Sequence, residues 1–249
     1  MKKLIFIPLF SFLFTLPNLA SAELVIIGAG SWDYEVSGKI RDSGTITDEI
    51  DLDSDLFLKD DTETFLLAYI EHPVPLLPNI RLSSTSLDIT GSGTATVALT
   101  YNGNTINANV AASTQMNLDH TEIGLYWNVL DNVVGLDLGI NAKLFDGKVS
   151  ITDGTTTASD VFDETVPMLY AGLQFELPYG FQIAGDISYL SFDGSSFTDT
   201  LIRLRYTTDY LLGVEVGYRS FDIDFEDTTA NEYVDIDISG TYIGVHLAF

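Results

Sequence analysis

The amino-acid sequence predicts an all-β protein, ten antiparallel strands closed into a transmembrane β-barrel with short turns at one end and longer loops at the other. Three observations lead there. Apolar and polar residues alternate with the period of a strand over almost the whole chain, and helical period is nearly absent. On strand after strand the second face mixes charge with glycine, as a crowded polar lumen requires. The connections between the alternating runs switch between short and long, as they do when turns and loops occupy opposite sides of a bilayer.

Taken in order, residues 1–22 read as an address. Lys2 and Lys3 are followed by an apolar run from Leu4 to Leu16 and by Ala20-Ser21-Ala22, with Ala20 and Ala22 marking the cleavage site of a signal peptide. The run is too short for the ~20 residues of a spanning helix, and Pro8 and Pro17 interrupt it. The barrel domain is then 23–249, and after residue 22 no continuous apolar stretch could cross a bilayer as a helix. Such a chain is either soluble outside the cytoplasm or crosses a membrane as strands.

Candidate strands lie near 24–36, 62–73, 79–88, 117–130, 133–146, 166–177, 180–192, 198–207, 210–222 and 233–249. The pattern is plainest in 133–144, where Val134, Leu136, Leu138, Ile140, Ala142 and Leu144 oppose Gly135, Asp137, Gly139, Asn141 and Lys143. Short connections fall at 72–78, 130–132, 178–180 and 207–209, each with Pro, Gly, Asn or Asp. Longer polar ones cover 37–61, 89–116, 147–165, 193–197 and 223–232. An even strand number places both chain ends on the short-turn, periplasmic side and the longer loops outside the cell. Within 89–116, Asn102-Gly103 between alternating runs signals a hairpin. We read it as the third and fourth strands continuing outward as a polar hairpin; a further pair of barrel strands is the other reading.

Composition excludes several classes. There is no cysteine, so disulfide scaffolds, thiolate metal sites and cysteine nucleophiles are absent. Lys+Arg 11 against Asp+Glu 36, a formal net charge of −25, argues against a nucleic-acid partner. No cofactor is expected.

The last strand, Gly240 to Phe249, resembles the C-terminal insertion signal of bacterial outer-membrane proteins: Phe249 is the terminal aromatic, with Ile243, Val245 and Leu247 at alternate positions before it. Gly28-Ala29-Gly30-Ser31-Trp32-Asp33 and the turn Glu71-His72-Pro73-Val74-Pro75-Leu76-Leu77-Pro78-Asn79 are similar to a family of small proteobacterial outer-membrane barrels. The resemblance implies fold and location, not an activity. It implies the Gram-negative outer membrane, the barrel-assembly machinery as partner during insertion, and outer-membrane lipid and lipopolysaccharide as surroundings. Oligomeric state is left open.

Arg81, Lys143, Arg203, Arg205 and Arg219 fall on the lumen face, with Glu122, Asp137, Asp186 and Glu215 opposite them on neighbouring strands. Charges confined in a narrow interior must pair. They form either a packed ion-pair plug or a selectivity lining for small solutes; ten strands leave little room beyond their own side chains, which favours the plug. Asp51, Asp53 and Asp55 alternate in an acidic segment and could offer oxygens to calcium, but the Gly and distal Glu of an EF-hand loop are missing, so a solvated acidic surface is expected. Asp222, Asp224, Glu226, Asp227, Asp235 and Asp237 form a second acidic rim. His72, His120 and His246 lack the geometry of a base beside a nucleophile, and no enzyme is expected. Trp32, Tyr34, Trp127, Tyr189, Tyr206, Tyr218 and Phe249 are expected at interfacial girdles or on the outward face. The function expected is a structural or surface-interaction role with a largely plugged lumen. The alternatives are a narrow passive pore and a soluble periplasmic ligand-binding barrel.

Overall fold

Strand alternation builds almost the whole molecule. The computed structural model describes residues 25–41, 49–74, 76–96, 98–227, 229 and 231–249. The expected signal, with Ala20 and Ala22, lies outside the described residues. The first half of the chain holds β1 (Val25–Arg41), β2 (Ile50–Asp51), β3 (Asp61–Ile70), β4 (Asn79–Thr85), β5 (Asp88–Ala95), β6 (Leu99–Tyr101), β7 (Asn104–Ile106) and β8 (Val110–Asn117). The second holds β9 (His120–Asp131), β10 (Val134–Thr152), β11 (Thr157–Glu176), β12 (Phe181–Phe192), β13 (Ser195–Thr207), β14 (Leu212–Asp227) and β15 (Glu232–Ala248).

Among the described residues, ten strands close in the order β1, β3, β4, β9, β10, β11, β12, β13, β14, β15, with β15 pairing back onto β1 and every pairing antiparallel. At the seam Val25 and Phe249 exchange two backbone hydrogen bonds of 2.9 Å. Closure leaves no barrel edge to pair with another chain.

β4 and β9 continue outward as β5 and β8, which pair from Asp88↔Asn117 to Ala95↔Val110. The β6–β7 hairpin forms the tip, its Asn102-Gly103 turn at φ 45° and 71°, the left-handed values that this dipeptide adopts readily. The projection is therefore a hairpin and not two further barrel strands. It is polar on its outer face only: Ile89, Ala95, Leu99, Ile106, Ala112 and Met116 are buried. The long loops expected at 147–165, 193–197 and 223–232 are instead mostly strand, because β10 and β11 run to a turn at 153–156 and β12 to β15 extend likewise.

One reversal organises the whole barrel. Toward the periplasmic end apolar side chains point out and charged ones point in; toward the extracellular end the sense inverts. On β14, Leu212, Val214, Val216 and Tyr218 face outward, whereas Phe221 and Ile223 are buried inside and Ser220, Asp222 and Asp224 face out. Val216 is 51% exposed and Phe221 0%. β15 changes in the same way, from Ile243, Val245 and Leu247 outside to Ile236 and Ile238 inside. In hydrocarbon the outer face must be apolar and the lumen polar; in water an extended barrel needs an apolar core, where each fully buried Leu or Phe side chain contributes about 1.5–3 kcal/mol. Trp32 and Tyr34, expected at a girdle, lie inside this core at 1% exposure, because β1 has already passed its own reversal there.

The acidic segment after β1 is not simply a solvated surface. Ile50, Leu52, Leu56 and Leu58 turn inward and cap the core from above. Phe57, at φ 61°, lies against β5, where a Cβ at Gly91 would collide with its carbonyl and one at Gly93 with its ring. Both positions therefore need glycine.

Candidate functional site

Inward-facing residues of five strands meet near the level at which the barrel reverses. Arg81 on β4 lies 3.0 Å from Glu122 on β9, and Lys143 on β10 lies 2.7 Å from the same carboxylate. Lys143 is also 2.7 Å from Asp199 on β13, to which Arg219 on β14 donates through Nε at 3.0 Å and Nη2 at 2.8 Å. Arg219 Nη1 then donates to Thr85 Oγ1 at 3.1 Å, back on β4. The contacts form a ring that crosses the lumen twice, from β10 to β13 and from β14 to β4. Lys143 is 0% exposed and Glu122 1%, so removing a partner would leave a bare buried charge.

Aromatic rings seal the upper side of this ring. The Arg219 guanidinium lies 4.8 Å from the Trp32 ring centre. The His120 ring packs between Phe145 at 5.1 Å and Phe221 at 5.6 Å. Its Nδ1 is 2.9 Å from the Leu118 carbonyl, which requires the proton on Nδ1, and leaves Nε2 to accept from Arg219 Nη2 at 3.3 Å.

Nearer the periplasm, Arg203 pairs with Asp186, which also accepts from the Tyr170 hydroxyl at 2.9 Å. Arg205 donates to Glu215 through Nε at 3.1 Å and Nη2 at 3.0 Å. A cavity of about 30 Å³ between Tyr69, Tyr126, Asp137, Tyr170, Asp186 and Arg203 has room for a water or two. Asp137 departs from the expected network. Its carboxylate accepts from Asn128 at 2.9 Å instead of meeting a cation, because register sets β9 Asn128 directly across from it. Asp199 belongs to the network and the sequence reading missed it. The available signal was its parity, since it shares the inward face of β13 with Arg203 and Arg205.

The other candidate residues are scattered. Ile243, Val245, Leu247 and Phe249 all point outward, each about half exposed. In the cap, Asp51 Oδ1 accepts from the Asp53 and Ser54 backbone amides at 3.1 and 2.9 Å, and Asp55 accepts from the Asp51 amide at 3.0 Å. The Ser54 amide foremost holds the Asp51 carboxyl below the usual carboxylate range. These carboxylates shape a turn, and among the described residues no group of three or more His, Asp or Glu side chains is placed to hold a metal ion. His72 binds the Pro78 carbonyl at 3.0 Å in the first periplasmic turn. His246 Nε2 sits 2.9 Å from the Thr207 hydroxyl, but its Nδ1 is buried with no partner, so no third group orients the ring as a base. On the outer wall of the extension, Thr90, Gln115 and Ser150 form one row across three strands, and Ser92, Ser113 and Thr152 form another; they line a groove of about 530 Å³.

A closed antiparallel barrel with an apolar exterior and charged residues packed inside defines the class: a transmembrane β-barrel of the outer-membrane type. No protein-family model and no curated protein matches the chain. Among solved structures, it is similar to the outer-membrane protease OmpT of Escherichia coli, at 11% identity and a TM-score of 0.49 over 90% of this chain and 96% of that one. It is also similar to the attachment invasion locus protein Ail of Yersinia pestis, at 13% identity and a TM-score of 0.37 over 90% and 98% of the two chains. A third similar structure is an outer-membrane channel of Pseudomonas putida, at 7% identity and a TM-score of 0.45 over 92% and 97%.

Proposed function

We propose that this chain is an integral outer-membrane protein of the Gram-negative envelope that works through its extracellular surface, its lumen closed to solutes by its own side chains. The observation carrying this reading is the ring from Arg81 through Glu122, Lys143, Asp199 and Arg219 to Thr85, roofed by Trp32, His120, Phe145 and Phe221. The apolar cap of Leu52, Leu56 and Leu58 lies above it. The lumen cavity toward the periplasm holds about 30 Å³, while the groove on the outer wall holds about 530 Å³. Of these two spaces, the roomier is on the outside, where a partner would have access.

In this reading residues 1–22 are removed as a signal, the barrel-assembly machinery inserts the chain through its last strand, and lipid and lipopolysaccharide surround the belt. The belt argues against a soluble periplasmic barrel, since apolar exposure of this extent is unstable in water. Planar-bilayer recording is the test. Wild-type protein is expected to give no conductance steps, and Lys143→Ala combined with deletion of the cap is expected to give them. Regular steps from the wild type would instead support a narrow passive pore, the second reading, which the polar lining below Lys143 favours. Recovery of processed protein from periplasmic extract without detergent would overturn both.

A further inference from the structure

We infer that Asn102-Gly103, at the tip of the β6–β7 hairpin, is a site of spontaneous deamidation that unfastens the hairpin from β11. It is the single Asn-Gly pair of the chain. The backbone nitrogen of Gly103 attacks Cγ of Asn102, the bond from Cγ to the side-chain nitrogen breaks, and ammonia leaves with the amide proton. Water then opens the cyclic imide at either carbonyl, giving aspartate or isoaspartate at 102. Water is the only co-reactant, and no redox step is involved.

The attack needs an unshielded nucleophile. Asn102 and Gly103 are both exposed, and Gly103 has no side chain of its own to crowd its backbone nitrogen. Of the other asparagines nearby, Asn104 is followed by Thr105 and Asn109 by Val110, branched residues that crowd the amide, and Asn107 is followed by Ala108, whose methyl group crowds it more than glycine does; Asn132, in a periplasmic turn, is followed by Val133.

The consequence comes from what Asn102 holds. Its Nδ2 donates to the Ser159 carbonyl on β11 at 2.8 Å, fastening a hairpin anchored below by buried Leu99 and Ile106. Deamidation replaces that NH₂ donor with a carboxylate oxygen, which faces the carbonyl as one acceptor against another. The new charge also adds to Asp160, Asp163 and Glu164 on β11. Isoaspartate further lengthens the turn backbone by one carbon, which the paired Tyr101↔Asn104 register does not accommodate.

The test ages the full-length barrel in detergent micelles at mildly alkaline pH and maps its peptides by mass spectrometry. Conversion at Asn102 is expected to exceed that at Asn104, Asn109 and Asn132 several-fold, and Gly103→Ala is expected to abolish the excess. Asn102→Asp should raise protease cleavage within 99–106 several-fold while the barrel keeps its folded gel migration. Two results would overturn the inference: Asn102 intact in the folded barrel while a urea-unfolded sample converts, or Asn102→Asp with unchanged cleavage.

Discussion

Lys143 on β10 meets Asp199 on β13 at 2.7 Å, bridging two strands that are separated in the wall by β11 and β12. The same ammonium is 2.7 Å from Glu122 on its neighbour β9. One cation thus holds two carboxylates from opposite sides of the lumen. Lys143→Met is expected to cost about 3–5 kcal/mol, the range for breaking a buried pair and stranding its partners. Urea unfolding in micelles measures it. Adding Glu122→Gln should recover part of the loss; strictly additive costs would show that the two groups are not coupled.

The extracellular cap is expected to open without unfolding the barrel wall. Leu56 is 1% exposed beneath it, so Leu56→Asp places an unpaired carboxylate in the apolar core. Protease sensitivity between residues 49 and 60 is expected to rise sharply, while the barrel retains heat-modifiable migration because the belt and the lumen ring are untouched. Loss of migration would mean that the cap and the wall fold as one unit.

On the outer face of the extension, Asp222 stands directly across from Asp237 and Asp224 from Asp235. Partial burial, and then its hydrogen bond to Asp237, push the Asp222 carboxyl up to about 6. The folded protein therefore keeps this proton at pH values where the unfolded chain has released it. Stability contributed by the protonated pair is present at low pH and is lost as pH rises from about 4 to about 6. Asp222→Asn is expected to remove that fall and to raise the neutral-pH melting temperature. An unchanged pH profile would count against the pairing.

The two tryptophans report on opposite sides of the reversal. Trp32 is 1% exposed within the extracellular core and Trp127 is 40% exposed on the apolar belt. In vesicles containing brominated lipid, Trp32→Phe should leave emission that is strongly quenched, and Trp127→Phe emission that is hardly quenched. Equal quenching in both would place the belt elsewhere.

The ten barrel strands, the periplasmic turns and the Asn102-Gly103 hairpin were legible in the sequence, because a strand crossing a bilayer writes its two faces as a strict alternation. So were Lys143, Arg203, Arg205 and Arg219, each lying in the polar phase of such a run. The extracellular half was harder to read for a physical reason. Its strands still alternate, but the apolar phase shifts by one residue, as between Tyr218 and Phe221 or between Ile238 and Ile243. Where the outward apolar series stops, the reading stops the strand. The shift was present in the letters, and it marks the place where the solvent outside changes from lipid to water.

By itself, then, the sequence determined that this chain closes as a membrane-crossing barrel and that Lys143, Arg203, Arg205 and Arg219 face inward within its membrane-spanning half. Tertiary structure alone decided the partners: that Lys143 takes Glu122 and Asp199 together, that Asp137 takes Asn128, and that Leu52, Leu56 and Leu58 leave an acidic segment to cap the core. Alternation fixes the face on which a side chain stands. Its partner across the lumen depends on stagger and curvature, which exist only once the wall has closed.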